Sequence, residues 1–180
     1  MKKLIFSMLV TCCLWTGPNC FAQIFISFDG VEGESAIPSF KGATEISSFS
    51  GGISTTMTMS SATAGAGAGK VKMDEFNFTK LRGKSSAALQ MAHFTGKTIP
   101  KVEIRFYNPG DKVNHYLSIM LESVMVTNWK ISGSGSEKLT ESFTLAAGKI
   151  KTEENGGTNP DGSVKKNIAG WDVLKNMPNN

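Results

Sequence analysis

Hydrophobic and polar residues alternate on both sides of a short non-alternating stretch between Lys70 and Phe106. The alternating apolar positions are Val71 and Met73, then Phe76 and Phe78, and later Val102, Ile104 and Phe106. A period of two is typical of β-strands. The stretch Ser85 to Ala92 combines a serine cap with good helix formers, and Gly96 offers a stop. The pattern therefore predicts a strand, one short α-helix at about Ser85–Thr95, and another strand.

Strand-like patterns also fill most of the remaining chain, separated by turn sequences such as Asp29-Gly30 and Asn108-Pro109-Gly110-Asp111. The predicted strands are Ile24–Phe28, Thr44–Phe49, His115–Val126 and Leu139–Leu145, and Asn155–Ser163 is predicted as a loop. No second helix is predicted. Seven or eight strands with turns between them are typical of a small barrel or sandwich.

The longest predicted strand, His115–Val126, changes the phase of its apolar positions. Apolar residues occupy odd positions up to Leu121 and even positions from Val124 onward. A slip of one residue at Glu122-Ser123 predicts a β-bulge, which lets one strand bend and take part in two sheets.

The most unusual composition lies at Ser50–Gly69, which contains only Ser, Gly, Thr, Ala, Met and one Ile and carries no charge. One interpretation is a flexible, exposed loop, the usual outcome of such a composition. The other is an uncharged arm that becomes ordered against a partner surface. Met57 and Met59 alternate with threonine, so a short strand or hairpin can form there on contact.

The first twenty-two residues have the pattern of a secretory signal peptide. A basic start is followed by an apolar run from Leu4 to Trp15, and small residues precede the junction between Ala22 and Gln23. We predict cleavage after Ala22, with residues 23–180 forming a single domain. The apolar run is too short for a transmembrane helix. The alternative is a lipoprotein signal at Leu9-Val10-Thr11-Cys12, but the residue before its cysteine is bulky for that role.

Cleavage of this leader changes the chemistry available to the protein. It would remove all three cysteines, Cys12, Cys13 and Cys20, so the domain would contain no disulfide, thiol nucleophile or cysteine-ligated metal. It would also remove two lysines and lower the formal net charge from +4 to +2. Because no basic block remains, nucleic acid is not an expected partner. We expect a periplasmic or secreted protein that does not insert stably into a membrane.

Residues suited to catalysis or metal binding are few. The histidines are His93, late in the predicted helix, and His115, at the start of a strand, and no HxH or HExxH spacing is present. The segment Gly65–Lys70 resembles a phosphate loop, but it lacks a Ser or Thr after the lysine and precedes a strand. We expect half-buried or exposed histidines, no cofactor, no metal and no enzymatic activity. A hydrolase or toxin that uses a histidine is the minor alternative.

A set of short segments, in order along the chain, carries a family resemblance. The segments are Phe28–Ser35, Glu45–Gly52, Phe76–Lys80, Ser85-Ser86, Thr95-Gly96-Lys97, Tyr116–Glu122, Ser132–Gly135, Glu141–Phe143, Gly148–Ile150 and Gly170-Trp171-Asp172. In this order they resemble the haemolysin-coregulated protein (Hcp) family, the tube subunits of bacterial type VI secretion systems. No single segment is specific, and the ordered set carries the resemblance.

This resemblance implies a small β-barrel of two packed antiparallel sheets with one helix, assembled into hexameric rings that stack as tubes without enzymatic activity. We expect Leu89 and Met91 of the helix to pack against the barrel. The loop after the second strand reaches a neighbouring ring in such proteins. Its counterpart here predicts an interface formed by Gly51, Gly52, Ile53, Met57, Met59, Gly65, Gly67 and Gly69. Secretion-apparatus proteins or effectors are further candidate partners.

Two features depart from the family pattern. Tube subunits normally have no cleavable signal, whereas this chain has the leader described above, and the bulky aromatic residue often found after Phe-Ser is Gly51 here. The leader is explained if this chain is an exported relative of the tube subunits that still forms a ring. The alternative is a monomeric secreted β-barrel that binds a ligand or acts as an effector, and Trp129 or Trp171 exposed in a concave site would favour it.

Overall fold

The computed structural model describes residues 23–58, 67–111, 114–135, 137–158 and 161–179. The predicted leader therefore lies outside the described residues. The described residues form twelve strands, one α-helix and a short 3-10 turn at Pro38–Phe40. The strands are β1 (Gln23–Phe28), β2 (Thr44–Ile46), β3 (Ser48–Ser50), β4 (Ile53–Thr58), β5 (Gly67–Met73), β6 (Phe76–Leu81), β7 (Ile99–Tyr107), β8 (His115–Ser132), β9 (Thr140–Ala146), β10 (Lys149–Thr158), β11 (Val164–Asp172) and β12 (Met177–Pro178), and the helix is α1 (Ser86–Thr95).

Two antiparallel sheets share the long strand β8. The first sheet has the order β12-β11-β10-β8-β7-β1-β2, and the second runs β3-β6-β9 and joins the other half of β8. Among the described residues no pairing joins β2 to β3, so hydrogen bonds do not close the barrel. The predicted mainly β fold with two sheets and one helix is confirmed. The described residues contain twelve strands, more than the seven or eight that we expected.

The prediction that β8 takes part in two sheets is confirmed, whereas its register with β7 continues without a shift across Glu122-Ser123, so the predicted bulge is not seen against that strand. Up to Glu122 the strand pairs with β10, and from Met125 onward it pairs with β9. Between these halves Ser123 has a positive φ of 54°, an uncommon backbone conformation for a residue with a side chain. The amide of Gly148, at the corner between β9 and β10, donates a 3.0 Å hydrogen bond to the Glu122 carbonyl. Ser123 is therefore the point where the chain passes from one sheet to the other.

The core lies between the inner faces of the two sheets. Ile26, Val102, Ile104 and Leu121 are fully buried on the first sheet. On the second sheet Phe78 stacks on Phe143 with ring centroids 5.1 Å apart. Each fully buried side chain of this size contributes about 1.5–3 kcal/mol through removal of apolar surface from water. The alternation seen in the sequence is thus the alternation between core and outer face.

Helix α1 agrees with its prediction at both ends but not on its buried face. Ser85 is the N-cap, and Gly96 ends the helix with a left-handed φ of 62°. Leu89 is fully buried, as we expected, whereas the side chain of Met91 is 56% exposed, so the expected packing of Met91 is wrong. Leu89 and Met91 are two positions apart in the sequence, and residues at this spacing point to different sides of a helix. Ala92, three residues from Leu89, is buried instead.

Three predicted boundaries are wrong. Two of them fall where the chain passes from one sheet to another, and the third falls where a predicted loop pairs with an adjacent strand. The strand Thr44–Phe49 is divided into β2 and β3, which belong to different sheets. Residues 71–78 are divided between β5 and β6 in the same way, with Asp74-Glu75 at the crossing. Inward positions shift by three at each crossing, which breaks a period of two. The segment predicted as a loop from Asn155 is in part strand, because β10 pairs with β11 as far as Thr158.

Candidate functional site: the β4–β5 ribbon

Strands β4 and β5 form a separate two-stranded antiparallel ribbon in the region predicted as an interface. The register begins with Ile53 opposite Met73 and ends with Thr58 opposite Gly67. The register shifts between Thr55 and Met57, which marks a bulge. Within the segment Ser50–Gly69, residues 53–58 and 67–69 thus belong to paired strands, and residues 59–66 lie outside the described residues. The hairpin predicted to form on contact is already formed in the single chain.

The predicted interface residues are brought together in two groups. Gly51, Gly52 and Ile53 lie at the base of the ribbon, and Ile53 has 48% of its side chain exposed. Met57 and Gly67 lie in the far half, where Met57 is opposite Ala68. Gly69 is within β5, whereas Met59 and Gly65 lie outside the described residues.

The ribbon leaves the barrel beside the ring of Phe76. A Cβ atom added to Gly51 would overlap Cδ1 of Phe76, and the Phe76 side chain is only 2% exposed. The ring of Phe49 stacks on that of Phe76, with the two ring centroids 6.2 Å apart. The space that a side chain at position 51 would fill is therefore occupied by Phe76. This explains how the chain accommodates glycine at that position.

Hydrogen bonds fix the base of the ribbon to the start of β6. The Asp74 amide donates to the Gly52 carbonyl at 3.0 Å, and the Ser54 hydroxyl donates to Asp74 Oδ1 at 3.2 Å. Met73 packs against the core cluster. The ribbon is thus anchored at one end by burial and hydrogen bonds, while its strands pair with each other.

The charges of the ribbon lie on one strand. Strand β4 has the sequence Ile-Ser-Thr-Thr-Met-Thr and carries no charge, whereas β5 carries the exposed residues Lys70 and Lys72. The uncharged composition ends at Gly69, so the predicted arm did not include these lysines. The alternation of Val71 and Met73 indicated a strand there, but the pairing of this strand with β4 could be seen only in the structure.

A groove beside α1 was also missed by the sequence analysis. It has a volume of about 560 Å³ and lies between the helix, the turn after β1 and the start of β7. The lining includes Gly30, Val31, Ala88, Met91, Thr95 and Ile99. Phe94, on the same helix, is 64% exposed. Apolar residues on several sides of a short helix were the available signal, and the sequence led us to expect Leu89 and Met91 to pack against the barrel.

A buried ion pair holds the first turn of α1 to the second sheet. Lys80 Nζ lies 2.8 Å from Glu141 Oε1, and both side chains are at most 1% exposed. Ser86 donates a hydrogen bond to the same carboxylate, and Lys80 donates to Ser86 Oγ at 3.1 Å. Thr44 donates to Ser85 at 2.9 Å beside this network. These partners position the helix. The pairing could not be predicted from local pattern because Lys80 and Glu141 are 61 residues apart.

Both histidines are half-buried, as predicted. His93 Nδ1 lies 3.0 Å from the Val126 carbonyl, which fixes the end of the helix to β8. Burial, followed by the nearby charge of Arg105, lowers the pKa of His115 below its usual value. Within the described residues no group of three or more His, Cys, Asp or Glu side chains is arranged to hold a metal ion.

Trp129 and Trp171 do not form the exposed concave site that would have favoured the monomeric alternative. Trp129 and Trp171 are partly buried and pack against the core cluster, and both indole nitrogens are buried. Among the described residues no helix is both long and apolar enough to cross a membrane.

The chain is similar to proteins of type VI secretion. The family model described as type VI secretion system effector, Hcp, matches residues 25–153. Protein hcp1 of Pseudomonas aeruginosa is 32% identical over 114 residues, which cover 60% of this chain and 68% of that protein. The solved structure of a type six secretion system protein has a TM-score of 0.78 and 26% identity, covering 88% of this chain and 100% of the other.

A further solved structure supports the fold alone. Hcp1 from Salmonella typhimurium has a TM-score of 0.70 at 24% identity, covering 87% of this chain and 98% of that one. The family match spans the strands from β1 to the middle of β10, including the ribbon and α1. This chain belongs to the Hcp family of type VI secretion system proteins.

Proposed function

We propose that this protein is an exported, non-enzymatic structural component of a type VI secretion system whose copies associate into a ring. The family resemblance leads us to propose six copies and stacking of rings into tubes, with secretion-apparatus proteins or effectors as further partners. The observation that carries the proposal is the β4–β5 ribbon. It is an ordered two-stranded sheet of its own, fixed to the barrel at its base.

The ribbon has the properties of an arm that makes contacts between copies. Unpaired strand edges are templates for pairing with another chain, and a monomeric protein usually shields them with charges, proline or a covering segment. Strand β4 carries neither charge nor proline, and Ile53 at its start is 48% exposed. An uncharged, partly apolar edge gains most from being covered by a partner.

The predicted cleavage site lies immediately before the first strand of the domain. Gln23 is the first residue of β1 and lies opposite Tyr107 of β7. Cleavage between Ala22 and Gln23 would therefore leave the whole of β1 in the domain. We propose that the mature protein begins at Gln23 and is periplasmic or secreted.

Expression of the full chain in a bacterial host tests the proposal. N-terminal sequencing of the exported protein is expected to begin at Gln23, and sedimentation is expected to give six times the mass of the processed chain. A mass that stays at one chain at high protein concentration would overturn self-association. Retention of residues 1–22 on the exported protein would overturn the cleavage independently.

A further inference from the structure

We infer that the groove beside α1 receives the β4 strand of a second copy of this chain. The inference rests on the proposed self-association and adds to it the surface that the ribbon contacts. The strand that binds is β4, Ile53–Thr58. The site that receives it is the groove whose lining includes Gly30, Ala88, Met91 and Ile99.

The chemistry of the groove fits an uncharged strand. Apart from Asp29 and Lys97, its lining residues carry no charge, and the methionine in it, Met91, is 56% exposed. Methionine is flexible and polarizable and adapts to irregular partner surfaces. The volume of about 560 Å³ is concave space that several side chains of a strand can fill.

The chemistry of the ribbon selects β4 over β5 for this contact. Strand β4 is uncharged along its length, whereas Lys70 and Lys72 lie exposed on β5. Burial of β5 would remove two ammonium groups from water, which is costly without partners. In the proposed contact the uncharged strand β4 packs in the groove, and Lys70 and Lys72 remain exposed to solvent.

The outer face of the first sheet is a poor receiving surface for this strand. It carries ion pairs between neighbouring strands and along them, with Lys149 3.2 Å from Glu122 and Arg105 2.8 Å from Glu103. Lys151 and Lys166 each lie 3.2 Å from Glu153. An uncharged strand placed over these groups would take paired charges out of water and give them no new partners.

The outer face of the second sheet offers less apolar surface at its centre. Thr144 donates a 2.9 Å hydrogen bond to Asn77 Oδ1, and Thr79 and Ser142 lie 3.5 Å apart. These side chains already satisfy one another, so covering them gains little. Of the three surfaces, the groove is the one where an uncharged strand covers mainly apolar residues, with Asp29 and Lys97 as the charged residues of its lining.

Disulfide trapping between two differently substituted chains tests the inference. The parent is the full chain with Cys12→Ser, Cys13→Ser and Cys20→Ser, which leaves no native thiol. One chain carries Thr55→Cys on the ribbon and the other carries Ala88→Cys in the groove, and both positions are exposed. Because the two cysteines are on different chains, a bond between them is intermolecular, and it requires Cα atoms about 4.4–6.8 Å apart.

The matched control replaces Ala88→Cys by Ser132→Cys, an exposed position on β8 outside the groove lining. We expect the Thr55–Ala88 pair to crosslink and the Thr55–Ser132 pair to stay largely unlinked, as judged by mass after mild oxidation. The reverse result, with the control pair linked and the groove pair unlinked, would overturn the inference. Ser54→Cys, on the opposite face of β4, shows which face enters the groove.

Charge insertion gives a second readout. Met91→Glu should weaken assembly at least about tenfold, because it places a carboxylate in the proposed contact. Leu174→Glu is the control, since Leu174 is 74% exposed and lies away from the groove lining. If the parent assembles and Met91→Glu leaves its assembly unchanged, the groove is not the receiving site. If the parent is itself a monomer, the proposed function fails first.

Discussion

The barrel and the ribbon are built from strands of the same chain, but they are stabilised in different ways. Barrel strands bury one face against a shared core, in which Ile26, Ile104 and Leu145 are fully buried. The ribbon is attached through Met73, Gly51 and a few hydrogen bonds at its base. Isolated two-stranded hairpins are marginally stable in water. Substitutions should therefore separate into those that alter folding and those that alter assembly.

The same contrast extends to polar groups. The barrel contains a buried ion pair between Lys80 and Glu141, together with ion pairs on its first sheet. In the ribbon, Ser54 hydrogen-bonds to Asp74 at an exposed site. Buried charges are costly when one partner is lost, whereas exposed hydrogen bonds exchange readily with water. Stability measurements on both regions, in order of expected effect, test this difference.

Glu141→Ala should have the largest effect on folding. It leaves the fully buried Lys80 without its partner, and breaking a buried pair costs about 3–5 kcal/mol. Urea denaturation followed by tryptophan fluorescence measures the loss. The ribbon counterpart is Ser54→Ala, which should change the free energy of unfolding by less than about 0.5 kcal/mol. Equal effects of the two substitutions would contradict the comparison.

Leu89→Ala should follow, because this fully buried helix residue contacts the core. Leucine-to-alanine substitutions in cores cost about 2–5 kcal/mol. Met91→Ala on the same helix is the matched control and should cost less than about 0.5 kcal/mol, since Met91 is mainly exposed. A stability loss for Met91→Ala as large as that for Leu89→Ala would contradict the orientation of the helix.

Gly51→Ala tests the junction of the two regions. The added methyl group would overlap the buried ring of Phe76, and such overpacking costs about 1–3 kcal/mol. Gly52→Ala is the control, since a Cβ there would lie 3.8 Å from Asp74, an ordinary contact. Phe76→Leu combined with Gly51→Ala should recover part of the loss caused by Gly51→Ala. Thermal unfolding of the parent and these three variants measures both effects.

The sequence predicted the parts of the fold that depend on local pattern. The end of the helix follows from Gly96, and the passage of β8 from one sheet to the other follows from the phase of Leu121 and Val124. Each signal lies within a few neighbouring residues, so it can be found without knowing the partners. The same holds for the turn at Gly110, which has a positive φ of 82°.

Features that depend on distant partners could not be predicted. The pairing of Lys80 with Glu141 and the register of Ile53 with Met73 join residues far apart in the chain. The exposure of Met91 depends on which side of the helix the sheet covers. At the candidate site, the sequence indicated an uncharged arm, but the extension of its hairpin to Lys70 and Lys72 required the structure.

The smallest expected effect concerns pH and the charged face of the barrel. Hydrogen bonds from Lys166 and then Lys151 lower the pKa of Glu153 below its ordinary value of 4.5. A lowered folded-state pKa contributes stability that is fully present above about pH 4.5 and is lost as the pH falls through the folded-state value. Glu153→Gln should therefore cost at most about 1 kcal/mol at pH 7 and flatten the stability profile below pH 4.5. Urea denaturation between pH 3 and pH 7 measures this slope, and the uncharged Ser54→Ala ribbon variant should keep the slope of the parent. A Glu153→Gln profile parallel to that of the parent would show that this carboxylate contributes no pH-dependent stability.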